Sequence, residues 1–209
     1  MNKQEGVIKY DLVFCEVELP FEHDFSSLSR WHHRFKQAGI LGQDAERYDG
    51  LGFGNISKRI DDSSFLISGT QTGYLAELAP SDYALVTNAD VSINRIEARG
   101  RVKPSSEALT HAAVYALDTE IRYVFHVHSA DIWNRRSALY LPQTGAEIPY
   151  GTPEMANEMK RLKQQGLFQD RKVFAMAGHE DGIIGFGSAA DEVGEAIMGL
   201  LSAAPNRQV

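Results

Sequence analysis

The sequence predicts an α/β fold, a mixed or mostly antiparallel sheet flanked by helices, and three observations carry that expectation. Short apolar segments rich in β-branched and aromatic residues are interspersed with longer segments whose apolar residues recur at helical spacing. Several of the strand-like segments stand in adjacent pairs separated by short polar turns, which is the pattern of hairpins rather than of the long crossovers a parallel sheet requires. The chain has 209 residues, 43% of them hydrophobic, with no repeat, low-complexity tract or Pro/Gly/Ser linker, so residues 1–209 read as one domain with enough core to fold alone.

The elements follow in order. "VIKYDLVFCEVEL" (Val7–Leu19) is extended, a strand or an N-terminal arm. "DFSSLSRWHHRFKQAG" (Asp24–Gly39) carries Leu28, Trp31 and Phe35 at helical spacing and closes on glycine. "GFGNISKRI" and "SFLISG" form a hairpin across "DDS". "DYALVTN" and "VSINRIEARG" form a second, turning around Asn88–Asp90. "SSEALTHAAVYALD" is a helix, "IRYVFHV" a strand, and "PEMANEMKRLKQQG" a helix with proline in its first turn. "KVFAMAG" and "GIIGFG" are short apolar strands, and "AADEVGEAIMGLLSAA" is the closing helix.

Composition narrows the function. No stretch approaches the roughly 20 apolar residues of a membrane helix, and the N-terminus lacks the charged start and apolar core of a secretory signal. Cys15 is the single cysteine, which excludes an internal disulfide and makes a reducing cytoplasm the expected location. A net charge of −7 argues against a nucleic-acid partner. It leaves room for a small anionic substrate, because a few local donors outweigh the global field.

The chemistry concentrates around "YVFHVHSADIW". Residues two apart on a strand share a face, so His126 and His128 can present two imidazoles to one ion, unless they are simply polar residues ending a buried strand. Catalytic zinc-type sites take three protein ligands and keep a position open. His179, in the glycine-flanked turn of "AMAGHEDGIIGFG", is the candidate third. "KPSSEALTH" adds a helix start whose free N–H groups and hydroxyls (Ser105, Ser106) suit an anion, or else a helix cap. Glu107 follows the serines directly, not at capping-box spacing. His111, one turn on, bonds that carboxylate or fills the helix–sheet interface. Gly54-Asn55 and the small-residue loop "LISGTQTG" offer further donors, with turn chemistry as the plainer account.

Elsewhere the residues favour structural roles. His23 sits in a polar turn, and His32 and His33 point about 100° apart on their helix. Trp31 and Trp133 suit the core or subunit contacts, Lys58 and Arg59 a charged strand edge, and "KRLKQQG" a solvated helix face. Cys15 has no nearby base in sequence.

Taken in order, G-N-I-S, L-I-S-G-T, K-P-S-S-E, H-V-H-S and G-H resemble the class II aldolase/adducin family, from about Phe53 to the last helix; residues 1–50, an N-terminal arm and helix, match only loosely. The resemblance implies a three-layer α/β/α fold around a mostly antiparallel sheet, and homotetramers with sites at subunit interfaces. It implies a divalent metal, usually zinc, on His126, His128 and His179; imidazole also suits manganese, iron or cobalt. Glu107 is then the acid/base residue, and Asn55, Thr70, Gln71, Ser105 and Ser106 hold substrate phosphate. The implied activity is retro-aldol cleavage of a small keto-sugar or its phosphate, the metal polarising the carbonyl and stabilising the enediolate. The same residues suit an epimerase, dehydratase or decarboxylase. An inactive adducin-like binding module and an interaction protein with a closed structural metal site are the other classes; three histidines beside a glutamate speak against both.

The sequence departs from the family at two places. His179-Glu180-Asp181-Gly182 replaces the usual H-G, and Gln71 stands where glycine is common. The tail "APNRQV" offers no tyrosine acid, which leaves Tyr115, Tyr140 and Tyr150, with Tyr150 favoured by its position between the histidines.

Overall fold

Alternation along the central strands divides the interior into two cores. In the computed structural model, which describes residues 6–19, 24–169 and 171–203, Phe125 and Val127 enter one core and Val124 the other. The sheet between them has eight strands: β1 (Asp11–Glu16), β4 (Asn55–Arg59), β5 (Phe65–Ser68), β6 (Tyr83–Asp90), β7 (Arg95–Gly100), β8 (Tyr123–His128), β9 (Val173–Ala175) and β10 (Gly182–Gly187). Their order is β1-β7-β6-β5-β4-β8-β10-β9. Among the described strand pairs of this sheet, only β1–β7 is parallel. A ribbon of β2 (Gly42–Gln43) and β3 (Gly52–Phe53) stands apart.

One face is covered by α1 (Ser26–Gln37), α3 (Ala130–Asn134) and α5 (Ala190–Ala203), the other by α2 (Ala108–Tyr115) and α4 (Pro153–Gln164). This is the expected α/β/α arrangement. Leu28, Trp31 and Phe35 form the buried stripe of α1. Trp31 lies flat against α5 because residue 194 is glycine: a Cβ there would stand 2.3 Å from the indole ring. Its Nε1 donates to Asp191 at 2.8 Å. Every residue of α2 is buried.

Three local expectations are corrected. The second hairpin turns at Val91–Asn94, with Asn94 left-handed (φ 57°), rather than at Asn88–Asp90. There Asp90 accepts from Ser92 N, closing the turn later than composition indicates. α2 begins at Ala108 with Glu107 as its cap residue, so Pro104, Ser105 and Ser106 precede the helix. The Ser105 hydroxyl accepts from Glu107 N, and its carbonyl accepts from Ala108 N. Arg59 lies on an interior strand, not an edge, and is 5% exposed. Its guanidinium donates to the carbonyls of Tyr115 and Asp118 at the end of α2, where a cation satisfies free carbonyls and opposes the helix dipole. The short helix α3 carries no distinct sequence signal; Ser129 caps it, accepting from Ile132 N. His23 and "APNRQV" lie outside the described residues.

His33 is exposed, but His32 is buried, and among the described residues neither of its ring nitrogens has a hydrogen-bond partner. Burial first, then the Lys36 and His33 charges, push its pKa down to about 4. The unfolded chain takes up this proton near pH 6.5, whereas the folded chain resists it until about pH 4. Stability tied to His32 is therefore complete above about pH 6.5 and is lost as pH falls towards 4, on the order of 3 kcal/mol in all. Thermal melts of His32→Leu from pH 7 to 4 should show a shallower decline than wild type; parallel curves would discard this account.

Candidate functional site

The alternation that sends Phe125 and Val127 to one core turns His126 and His128 to the α2 side at the carboxyl end of β8. His179 arrives from the turn between β9 and β10, where His179 N donates to Met176 O and Gly182 N donates to His179 O. Glycine is required at 182: a Cβ there would stand 2.7 Å from the His179 ring and 3.3 Å from that of His126. One ring nitrogen from each of the three histidines lies within 4.8 Å of the other two, and all three residues are buried.

A hydrogen bond prepares His126 as a ligand. His126 Nδ1 lies 3.2 Å from the Ile183 carbonyl. A carbonyl only accepts, so Nδ1 carries the proton and Nε2 keeps its lone pair. His126 Nε2 and His128 Nε2 are 3.0 Å apart, close to the ~3.3 Å that two nitrogens about 2.05 Å from a tetrahedral ion would adopt. Burial lowers the pKa of His126 to about 4; burial, then the neighbouring His179, His126 and Arg47, lowers that of His128. Neutral imidazole is the ligating form. The donor set thus fits a divalent cation.

Glu107, 1% exposed, stands over this cluster, with Oε1 3.3 Å from His179 Nε2 and 3.8 Å from His126 Nε2. The cap position of α2 aims it there, while His111 turns to the sheet, its Nδ1 2.7 Å from Ser57 Oγ. Of the three tyrosines considered, Tyr150 is at the site, its ring 4.6 Å from that of His179. Tyr115 is buried against Ser57, and Tyr140 is 83% exposed.

Of the five expected phosphate residues, Asn55 pairs with a histidine strand, and backbone pairing sets Thr70 beside the segment of Ser105 and Ser106. Asn55 is the register partner of His126 and shares its face. Among the described residues, its buried side-chain oxygen has no hydrogen-bond partner. The loop after β5 and the segment before α2 run side by side: Gly69 bridges Pro104, Thr70 N donates to Lys103 O, and Ser105 N donates to Ser68 O. Thr70, Ser105 and Ser106 therefore share one edge. Gln71 (φ 57°) accepts from Gly52 N through its side-chain oxygen, which ties it to the β3 end of the small ribbon.

Several residues here have no sequence signal. Tyr10 donates to Ser105 O at 2.8 Å, and burial together with the Glu107 charge raises its pKa. The Lys9 ammonium lies 3.3 Å above the Tyr150 ring. The Tyr48 ring packs 4.7 Å from that of His128. Of the two acidic residues after His179, Glu180 is exposed, and Asp181 accepts from Tyr48 OH at 2.6 Å. A cavity of about 810 Å³ opens beside His179, lined in part by Lys9, Arg47, Tyr48, Tyr150 and Asp181. A buried cluster with one open side is the form of a catalytic rather than a closed structural metal site.

The chain is similar to several known proteins. A 3-oxo-tetronate 4-phosphate decarboxylase of Haemophilus influenzae is 29% identical over 167 residues, 69% of this chain and 73% of that one. Among solved structures, the L-fuculose-1-phosphate aldolase of Thermus thermophilus superposes with a TM-score of 0.62 at 17% identity, covering 86% of this chain and 90% of that one. YgbL of Escherichia coli superposes with a TM-score of 0.60 at 21% identity, covering 87% and 89%. At these identities the solved structures speak for the fold. The model of the Class II Aldolase and Adducin N-terminal domain matches residues 43–204, a span that takes in His126, His128, His179 and Glu107, and the chain belongs to the class II aldolase and adducin family.

Proposed function

We propose that this protein is a divalent-metal-dependent lyase that breaks a carbon–carbon bond in a small keto-sugar or sugar-acid phosphate, with retro-aldol cleavage as the leading reaction. The observation that carries the proposal is the convergence of three buried imidazoles with one buried carboxylate beside an open cavity. His126, His128 and His179 would hold the ion, zinc being the best match to the donor set. When bound, it supplies Lewis-acid polarisation of a substrate oxygen. Glu107 would move the proton, its carboxylate held at the cluster by the start of α2. Asn55, Thr70, Gln71, Ser105 and Ser106 would bind the phosphate, so that binding energy remote from the reacting carbon orients it. Zinc content of protein purified without added metal, measured beside divalent-ion titrations of the stripped protein, tests this: about one ion per chain is expected, and failure to bind any divalent ion under loading would refute it.

Decarboxylation is the second reading, favoured by the Haemophilus relative. Both reactions leave electrons on the carbon next to a carbonyl, so they make similar demands on the site. Release of an aldehyde from keto-sugar phosphates, set against release of carbon dioxide from 3-oxo-acid phosphates, separates them.

Tyr150 is the proposed general acid for the departing fragment. Tyr150→Phe should lower kcat by about 10²- to 10⁴-fold with metal content unchanged, the usual contribution of a positioned acid. The exposed Tyr140→Phe should have no effect. Equal rates for the two variants would remove Tyr150 from the mechanism.

A further inference from the structure

The segment between β2 and β3 is built around an unusual backbone. Tyr48, Asp49 and Gly50 take φ values of 51°, 57° and 74°, three consecutive residues in the left-handed region, two of them not glycine. Asp181, two residues after His179, is also left-handed (φ 62°). Backbone in this region persists only where surrounding contacts determine it, and such sites collect around functional centres. Here the contacts are visible. The Tyr48 hydroxyl donates to Asp181 Oδ2 at 2.6 Å and accepts from Arg47 Nη2 at 2.9 Å. Arg47 Nη1 donates to Gly39 O, and the guanidinium lies over the Phe53 ring.

The result is a brace across the ligands. The Tyr48 ring meets His128 edge to face at 4.7 Å, with Phe53 tilted against the same imidazole at 5.8 Å. Asp181 stands two residues after His179, and its carbonyl accepts from Ser129 N at 2.8 Å, directly after His128. One aspartate therefore ties the His179 turn to the residue following His128 through its backbone, and to the ring covering His128 through its side chain. Its carboxylate is directed to Tyr48.

We propose that Tyr48 is a positioning residue, which fixes the His128 imidazole relative to His179, and that Asp181 locks it there. This rests on the metal-site proposal above and extends it to residues that touch no ligand nitrogen. The carboxylate two residues after His179 thus holds the tyrosine.

The test uses the full-length protein. Zinc affinity is measured by competition with a chromophoric chelator, and ligand geometry by the visible spectrum of the cobalt-loaded form. Tyr48→Phe keeps the ring and removes the hydroxyl. Asp181→Gly removes the carboxylate while tolerating the left-handed backbone. Each should weaken zinc binding by about 10- to 100-fold, the range seen when partners of metal ligands are lost, and should alter the cobalt bands. The double variant should be no weaker than the poorer single, because both remove one bond. Asp181→Asn, which keeps an acceptor and suits left-handed backbone, should recover most of the loss relative to Asp181→Gly. Zinc affinity within about twofold of wild type, against the tenfold or more expected, and unchanged cobalt spectra in both single variants would overturn the proposal and leave the metal site standing, even if the metal-free variants melt at lower temperature. A wild-type protein that binds neither ion overturns both proposals.

Discussion

His128→Ala is expected to lose stoichiometric metal and, with it, turnover. The imidazole is fully buried between His126, His179 and the Tyr48 ring, so no solvent-borne group can take its place without opening the site. Two histidines remain, and Glu107, with Oε1 3.3 Å from His179 Nε2 and 3.8 Å from His126 Nε2, is the carboxylate left to complete a three-point anchor; used so, it is lost to proton transfer. Affinity should fall by more than the ~100-fold that loss of an outer hydrogen-bond partner alone can cause. Metal content after dialysis against a weak chelator, measured on His128→Ala and on the exposed His33→Ala as control, reads this directly. Full metal retention in His128→Ala would remove His128 from the ligand set.

Glu107→Gln is expected to separate binding from chemistry. The two side chains have nearly the same volume, which matters at 1% exposure, so the start of α2 and the neighbouring histidines should keep their places. What is lost is the ability to accept a proton. A positioned acid/base residue contributes about 10²- to 10⁴-fold, so kcat should fall by that range while KM changes little and metal content stays near one ion per chain. Loss confined to the rate constant identifies an interaction used in the transition state rather than in binding. Unchanged turnover would remove Glu107 from proton transfer and return it to a structural part at the helix cap.

These two residues differ in how legible they are. His126 and His128 are two apart on one strand, and strand geometry alone puts them on one face. The strand itself is recognisable from "YVFHV", where aromatic and β-branched residues leave little alternative. Glu107 belongs to no such periodic pattern. Its signal is only a departure, a glutamate too close to the serines for a capping box, and the chain places it at the cap of α2 instead of within the first turn. The serines are likewise visible as a group, but not that backbone pairing with Lys103 and Ser68 aligns them with Thr70.

Misplaced elements share a cause. Arg59 reads as an edge charge because charged residues within strands usually face water. Its actual surroundings, the carbonyls ending α2, belong to residues far along the chain, Tyr115 being 56 positions away, and no local pattern reports such a partner. The hairpin between β6 and β7 turns later than expected because Asp90 and Asn94, both at home in turns, compete with the Asn88–Asp90 cluster; side-chain closure on Ser92 decides it.

The amino-acid sequence by itself determined the periodicities: which segments become strands or helices, which strands pair as hairpins, and that two histidines share a face. Those follow from local geometry, repeated every two or 3.6 residues. The tertiary structure alone decided that Asp181 faces Tyr48 across 133 positions, that Tyr150 and not Tyr115 or Tyr140 meets His179, and that Gln71 turns towards Gly52. Such pairings depend on the order in which eight strands stack side by side, a property of the whole sheet that no single segment encodes.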